Sequence, residues 1–259
     1  MIHTKAVVQF SGGAGSWGAA GRAIERFGVD NVTLLFADTM IEDEDLYRFL
    51  DEAVADLGAE FVRLADGRNP WEVFRDVRFI GNTRIDPCSR VLKRDLLREW
   101  IEDNCDPVET VVVLGIDWTE EHRFARAQPR WEPWTLWAPL CDEPYIDKVD
   151  LIDELKRRDI NVPRLYEMGF PHNNCGGFCV KAGQAQFKKL LDLMPERYLR
   201  HEQEEAKTIA EIGSDVAILR DRRGGDTKPM TLRTFRERLG VDDTDFDAEE
   251  WGGCGCAID

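Results

Sequence analysis

An apolar run, Ala6-Val7-Val8-Gln9-Phe10, passes directly into Ser11-Gly12-Gly13-Ala14-Gly15-Ser16-Trp17 and then into Gly18-Ala19-Ala20-Gly21-Arg22-Ala23-Ile24. That order predicts a strand, a glycine-rich turn and a helix. Glycine lets the backbone turn tightly and approach a ligand with no Cβ in the way. The unpaired N–H groups that open the helix then face the turn, with the positive end of the helix dipole behind them. Such a turn suits an anion, above all a phosphate or pyrophosphate. Its spacing matches neither GxxxxGK[ST] nor GxGxxG, so the common ATPase and dinucleotide fingerprints are absent. A glycine-rich βα turn that holds no ligand is the bland alternative.

Three later segments narrow the choice. Val32-Thr33-Leu34-Leu35-Phe36-Ala37-Asp38-Thr39 reads as an apolar strand ending in Asp-Thr. Thr110-Val111-Val112-Val113-Leu114-Gly115-Ile116-Asp117 reads as another, followed by Glu120, Glu121, His122 and Arg123. The last runs from Trp137-Ala138-Pro139-Leu140 through Ile160-Asn161-Val162-Pro163-Arg164-Leu165-Tyr166 to Gly169. Between them the pattern predicts strands over 5–10, 32–36, 60–64 and 110–115, with helices over 16–27, 43–57, 70–77 and 87–103. Strands alternating with helices of this length imply an α/β fold, an open and mostly parallel twisted sheet with helices on both faces. Beyond about residue 140 the pattern turns helical, over 147–158, 183–193 and 195–211, with a short strand over 215–219 and a turn at 222–226. The expected organisation is therefore an α/β domain over 1–145, which carries the glycine-rich turn, and a mainly helical C-terminal region over 146–259.

At 259 residues the chain suits one large α/β domain with an appendage. No apolar stretch is long enough to span a membrane and no basic-then-apolar leader opens the chain, so the expectation is a cytoplasmic protein without a membrane partner. Its seven cysteines are then expected to be reduced thiols, with metal or redox chemistry favoured over disulfides. A net charge of −16 argues against indiscriminate binding to nucleic acid or acidic membranes. Much of that charge lies in Glu42-Asp43-Glu44-Asp45 and in the stretch 242–250, both most simply solvated surface.

The turn itself reads SGGxxS, and with the three later segments, in this order, it resembles the PAPS-reductase-like branch of the adenine nucleotide α-hydrolase, or PP-loop ATP pyrophosphatase, superfamily over roughly residues 5–195. The resemblance implies a HUP-like, Rossmann-related sheet whose nucleotide lies across the carboxyl ends of the strands, where open α/β sheets build their sites. It implies ATP cradled by Ser11, Gly12, Gly13, Gly15 and Ser16, with adenine against the backbone around Phe36–Asp38 and with Gly115 and Lys93 at the nucleotide. One departure stands out: many pyrophosphatases of this superfamily have an aspartate at the fifth loop position to help hold Mg²⁺, and here that position is Gly15. Asp38 or Asp117 is left to take the metal, since Mg²⁺ needs only one or two carboxylates plus phosphate oxygens.

Asn173-Asn174-Cys175-Gly176-Gly177-Phe178-Cys179 places two thiols on a glycine-containing turn, and Cys88 follows Asp86-Pro87 at another helix start, with Arg90, Lys93 and Arg94 downstream. Thiols at helix N-termini or beside cations have lowered pKa values and are more nucleophilic. Cys88, Cys175 and Cys179 are three candidate ligands for a [4Fe-4S] cluster, and relatives that transfer sulfur often hold one on three cysteines. Zinc, other thiol redox chemistry and plain structural cysteines remain open alternatives; Cys141 and His172 are candidate fourth ligands, and Cys105 reads as structural. The terminus Trp251-Gly252-Gly253-Cys254-Gly255-Cys256 resembles a swinging arm, although the Glu-Cys-Gly-type motif of the family's reductases is not reproduced.

Arg123 is placed to reach a phosphate at the strand ends, with salt bridging as the ordinary alternative for it and for Arg126. Arg220, Arg222 and Arg223 form a further basic cluster diluted by Asp221 and Asp226. The leading reading is an ATP-dependent enzyme that adenylates an acceptor, releasing pyrophosphate, in sulfur transfer to nucleic acid, of the tRNA-thiolation or DNA-phosphorothioation type. Its catalytic candidates are Cys175, Cys179, Arg123 and Asp117; its expected partners are an adenine nucleotide, a sulfur donor such as a cysteine desulfurase, a nucleic-acid acceptor and a second copy in a homodimer. The rivals are thiol-dependent reduction of PAPS or APS, and a non-catalytic nucleotide-binding subunit.

Overall fold

The computed structural model describes residues 3–213, 216–223 and 226–252. Five parallel strands form the central sheet: β1 (Lys5–Gln9), β2 (Val32–Asp38), β3 (Glu60–Ala65), β4 (Thr110–Val113) and β5 (Thr135–Trp137), in the order β3-β2-β1-β4-β5. Val8 pairs with Leu34 on one side and Val113 on the other. Both neighbours of β1 are hydrogen-bonded strands, and its residues 6–9 are buried, as a strand covered on both faces requires. The α/β class expected from the alternation is what the chain forms.

The side-chain alternation of the strands splits the core into two layers. Ala6, Val8, Leu34, Phe36, Val111 and Val113 face α1 (Ala14–Phe27) and α2 (Glu44–Leu57). Val7, Leu35, Val112 and Leu114 face the other side, with Leu97, Ile101, Trp131 and Trp134. The chain runs outward from β1 through α1 to β2 and through α2 to β3, whereas β4 joins the opposite edge of β1. Loops leaving β1 and β4 therefore diverge, and a crevice opens between them at the strand C-termini.

The remaining helices follow in order: α3 (Pro70–Asp76), capped by Asn69 and Glu72, then α4 (Pro87–Ser89), a π turn over Arg90–Asp95, and α5 (Leu96–Asn104). The predicted helix over 87–103 is thus continuous but widened in its middle. After α6 (Glu121–Ala127) and β5 comes α7 (Lys148–Arg157), which lays Leu151 and Leu155 into the layer of α1. Then follow α8 (Arg164–Glu167), α9 (Gln184–Leu193) and α10 (Pro195–Ile212), packed with α3 in a separate aromatic core of Trp71, Phe74, Phe178, Phe187 and Tyr198.

The predicted strand over 215–219 forms later than expected. β6 (Leu219–Asp221) pairs antiparallel with β7 (Lys228–Met230), ahead of α11 (Leu232–Val241). The cause is Glu205, whose carboxylate accepts the backbone N–H of Ile218 at 3.0 Å and so takes that residue out of any ladder. Asp215 and the centre of the turn at Gly224-Gly225 lie outside the described residues. No helix among the described residues is long and apolar enough to cross a membrane.

Candidate functional site

The turn after β1 has the predicted shape. Gly12 adopts φ +75°, a conformation that disfavours a side chain, and Leu46 packs beneath it. Gly13 is the N-cap of α1, so the helix starts at Ala14, two residues earlier than predicted. The Ser16 hydroxyl donates to the Gly13 carbonyl at 2.9 Å and accepts the Gly13 N–H at 3.3 Å, while the Ser11 hydroxyl lies 3.4 Å from it. No acidic residue occupies the first turn of α1, so the positive end of the helix stays uncompensated.

Gly15, the position that departs from SGGxDS, has a steric explanation. A Cβ there would stand 2.9 Å from the Gly115 carbonyl oxygen, and one on Gly115 would stand 2.7 Å from the Ser16 nitrogen. The first turn of α1 and the end of β4 are thus in backbone contact. Neither glycine has room for a side chain.

A cleft of about 680 Å³ opens at this junction, within the range of small-molecule sites. It is lined by the loop residues Ser11, Gly13, Gly15 and Ser16, and also by Gly115, Asp117, Arg123 and Lys93. The structure therefore brings together most of the residues read from sequence as nucleotide-binding. Gly12 has its carbonyl taken by the Asn173 side-chain amide at 2.7 Å. Phe36 and Asp38 are not among the cleft-lining residues. Phe36 stacks on Phe61 in the core, and Asp38, fully buried, accepts from Tyr47 Oη at 2.9 Å, from the Met40 N–H at 2.8 Å and from Arg63. With its oxygens so occupied, Asp38 is unsuited to Mg²⁺; of the two carboxylates read from sequence for the metal, Asp117 is the one that lines the cleft, beside Glu120 and Asp147. Asp117 caps the turn at Trp118–Glu120 through the Thr119 N–H, and Arg123 is paired with Glu120.

Four cleft residues escaped the sequence reading. Tyr166 Oη accepts the Ala14 N–H at 3.4 Å; Lys148 donates to the Pro171 carbonyl and lies 4.2 Å above the Tyr166 ring. Asn173 and Gln9 are buried, and among the described residues Asn173 Oδ1 and both amide atoms of Gln9 have no hydrogen-bond partner. A buried unpaired polar group costs about 1–3 kcal/mol, an expense that ligand contacts would offset. Nothing in local sequence marks these residues, because Tyr166 and Asn173 reach the loop across 152 and 161 positions.

The three candidate ligand cysteines do converge. Cys88, Cys175 and Cys179 line one cavity together with Thr39, Lys93 and Lys181. The turn that carries two of them is held from two sides by consecutive residues after β2. Glu42 accepts the Cys175 N–H, the Thr39 hydroxyl at 2.9 Å and the Lys93 ammonium at 3.3 Å. Asp43 accepts from Arg197 at 2.6 Å, and the same Arg197 nitrogen donates to the Gly176 carbonyl at 2.8 Å. Burial works against the Asp43 carboxylate, but hydrogen bonds from Arg164 and Arg197 overcome it and hold its carboxyl below the usual range. Left-handed backbone at Cys175, Gly176 and Gly177 makes the turn tight.

Two expectations for these thiols need correction. Cys88 was expected to be acidified by its helix start and nearby cations; instead burial pushes its thiol up, with Cys175 and Asp86 adding to the effect, and the Ser89 N–H and Lys93 offset only part. The cavity itself measures about 20 Å³, roughly the room needed for one water molecule, and does not fit a [4Fe-4S] cluster. Among the described residues no group of three His, Cys, Asp or Glu side chains stands ready to hold a metal ion. Cys141 lies apart, donating toward the Ile116 carbonyl at 3.6 Å with its thiol pushed up to about 11 by burial. His172 lines the cleft at the glycine-rich loop and shares a small separate cavity with Cys179, but is not among the residues lining the cavity of Cys88 and Cys175. Residues 250–252 run against the start of α9, where the Gly183 and Ala185 N–H groups donate to the Trp251 and Glu250 carbonyls at 3.1 Å each. Cys254 and Cys256 lie outside the described residues.

No family model and no curated relative matches the chain. Among solved structures it is similar to a phosphoadenylyl-sulfate (PAPS) reductase from Candida auris in a phosphate complex, at 14% identity over 63% of this chain and 78% of that one, with a TM-score of 0.43. It is similar to the U34-tRNA thiolase of Methanococcus maripaludis with its [4Fe-4S] cluster, at 13% identity over 82% and 72%, TM-score 0.47. The NH3-dependent NAD synthetase of Campylobacter jejuni gives 15% identity over 82% and 86%, TM-score 0.41.

Proposed function

We propose that this chain is an ATP-dependent sulfur-transfer enzyme of the PP-loop type, which adenylates an acceptor oxygen and then replaces it with sulfur, the expected acceptor being a nucleic acid. The observation that supports this reading is a shared wall. Lys93 lines both the cleft at the glycine-rich loop and the cavity of Cys88, Cys175 and Cys179, and Glu42 ties it to the thiol turn.

A triphosphate on the loop meets the N–H groups that open α1, with Lys93 and Arg123 at the cleft wall to balance its charge. Asp117 is the residue suited to Mg²⁺, which would draw charge from the phosphate oxygens. The acceptor oxygen attacks the α-phosphorus, the bond from that phosphorus to the bridging oxygen breaks, and pyrophosphate leaves with the electron pair. Fixed N–H groups and cations stabilise the charge that develops. A persulfide on Cys175 or Cys179, loaded by a donor of the cysteine desulfurase class, attacks the adenylated centre, and AMP departs with the oxygen. A second thiol of the cavity attacks the inner sulfur, leaving the outer sulfur on the acceptor and a protein disulfide that an external dithiol reduces.

The test is release of pyrophosphate and AMP from ATP and Mg²⁺, with and without RNA or DNA and a persulfide donor. Acceptor-dependent pyrophosphate release supports adenylation. Sulfite formed from PAPS, with no pyrophosphate from ATP, would replace this reading with thiol-dependent reduction. ATP bound tightly but never cleaved would make the chain a binding subunit.

A further inference from the structure

The acidic stretch after α11 is pinned down as a strap. Lys188 pairs with Asp243 at 3.0 Å, Arg223 with Asp245 at 2.7 Å, and Arg222 with Glu250. Ion pairs this close to water hold little on their own. The backbone fixes the path more firmly. Gln184 Oε1 accepts the Asp247 N–H at 3.1 Å, and Ala182 forms an antiparallel bridge with Gly252, next to the bonds from Gly183 and Ala185. A Cβ on Gly183 would overlap the Glu250 carbonyl oxygen, and one on Gly252, at φ +71°, would overlap that of Lys181. Two backbones touch there because neither position carries a side chain.

A second observation concerns Cys179, which belongs to two cavities. It lines the thiol cavity with Cys88 and Cys175, and a smaller one with His172, Trp251 and Gly252. The smaller cavity measures about 10 Å³, no more than one water molecule occupies, so its walls stand close together. The Ala182 N–H donates to the Cys179 carbonyl at 2.8 Å, and Ala182 is the residue that bridges Gly252. Beyond Gly252 the sequence continues as Gly253-Cys254-Gly255-Cys256. Two residues of extended chain span about 7 Å, and a disulfide needs Cα atoms about 4–7 Å apart. The strap thus brings Cys254 within reach of Cys179. Cys175 and Cys179 are both buried, so a disulfide between thiols of that turn is shielded from an external protein.

We propose that Cys254 and Cys256 are a built-in dithiol that regenerates the thiol cavity after each sulfur transfer. This assignment rests on the sulfur-transfer reading, which leaves a disulfide in that cavity, and it makes Cys179 one of the two partners. The Cys254 thiolate attacks Sγ of Cys179; the S–S bond of the cavity breaks and its other sulfur leaves as a thiolate. The Cys256 thiolate then attacks Sγ of Cys254, and Cys179 leaves as a thiolate in turn. Two electrons have passed inward, and the two protons given up by the attacking thiols return, through solvent, to the cavity thiols. A Cys254–Cys256 disulfide remains. An external dithiol reduces it without entering the buried turn.

Oxidation of the full chain with diamide, followed by mass mapping of its disulfides, tests the route. Cys256→Ser blocks the second step, and its expected product is a Cys179–Cys254 cross-link. In Cys254→Ser/Cys256→Ser, a thioredoxin should restore the Cys179 thiol at least about tenfold more slowly than in the native chain, while a small phosphine restores it at the same rate in both. Gly252→Val keeps both tail thiols but cannot seat the strap, so adding it to Cys256→Ser should abolish the cross-link. A native chain whose Cys179 forms no disulfide overturns the proposal. So does a Cys254 that links only to another chain, a double variant that thioredoxin reduces at the native rate, or a cross-link that survives Gly252→Val. These assays need no ATP, so a chain that shows the exchange yet never releases pyrophosphate would sink the adenylation reading alone.

Discussion

Replacing Gly15 by alanine sets two effects of opposite sign against each other. Gly15 is the second residue of α1, where alanine is favoured over glycine by about 1 kcal/mol on backbone entropy and propensity alone. The added Cβ, however, would lie 2.9 Å from the carbonyl oxygen of Gly115, a backbone atom of the segment leaving β4 that cannot rotate away. Overpacking of this kind costs about 1–3 kcal/mol, and a backbone obstacle on the sheet side argues for the upper end. The net expectation is a loss of about 2 kcal/mol, which for a chain of this size lowers Tm by about 4 °C. Gly15→Asp should lose at least as much, because its carboxylate must also leave the crevice. Calorimetric melts of both variants, with ATP titrations alongside, read the two consequences: lower Tm and weaker nucleotide binding. A rise in Tm for Gly15→Ala would refute the contact between α1 and the end of β4. A Gly15→Asp chain that melts normally and cleaves ATP faster would show that the loop only lacked its carboxylate.

Glu205 gives a pH signature. Burial pushes its carboxyl up to about 7 although the Ile218 and Leu232 N–H groups pull it down, so the folded value exceeds the unfolded one. Its contribution is fully present below about pH 4.5 and is lost as pH rises through about 7, a change of up to about 3 kcal/mol. Melts at pH 5 and pH 8 should therefore differ less in Glu205→Gln than in the native chain. Arg197→Met leaves the buried Asp43 with Arg164 as its remaining arginine and frees the Gly176 carbonyl; it should cost about 3 kcal/mol and speed alkylation of Cys175, read by mass mapping. Anaerobic purification should give a colourless protein without iron or sulfide, given the size of the thiol cavity; a brown, iron-containing product would show that the cavity opens to take a cluster.

The parts of the molecule that were legible in sequence are those governed by local rules. Glycine conformational freedom and strand periodicity were enough to find the loop after β1, and the parallel α/β class followed from the alternation. β5 escaped because three residues carry no period, and β6 was misplaced because a carboxylate on α10, thirteen positions away, claims the Ile218 N–H. Within the cleft, Ser11, Ser16, Asp117 and Arg123 could be named because they lie in the segments that follow β1 and β4. Gln9, Lys148, Tyr166 and Asn173 could not: the burial of Gln9 and Asn173, and the partners of Lys148, Tyr166 and Asn173, exist only once α7, α8 and the thiol turn have closed over the loop. The thiols show both sides of this. Their convergence was readable from residue type and turn context, but their environment was not, since burial depends on what the rest of the chain packs around Cys88.

The π turn over Arg90–Asp95 gives this stretch of chain two angular phases. Its hydrogen bonds reach one residue further than those of an α-helix, so everything upstream is rotated relative to α5. Leu97 and Ile101 can then keep their alignment with the sheet while Lys93 is aimed at the two cavities. Removing a single residue from the turn would restore one uniform phase and swing Lys93 by about 100° around the axis. The helix would still pack, but the wall between the cleft and the thiol cavity would lose its charge.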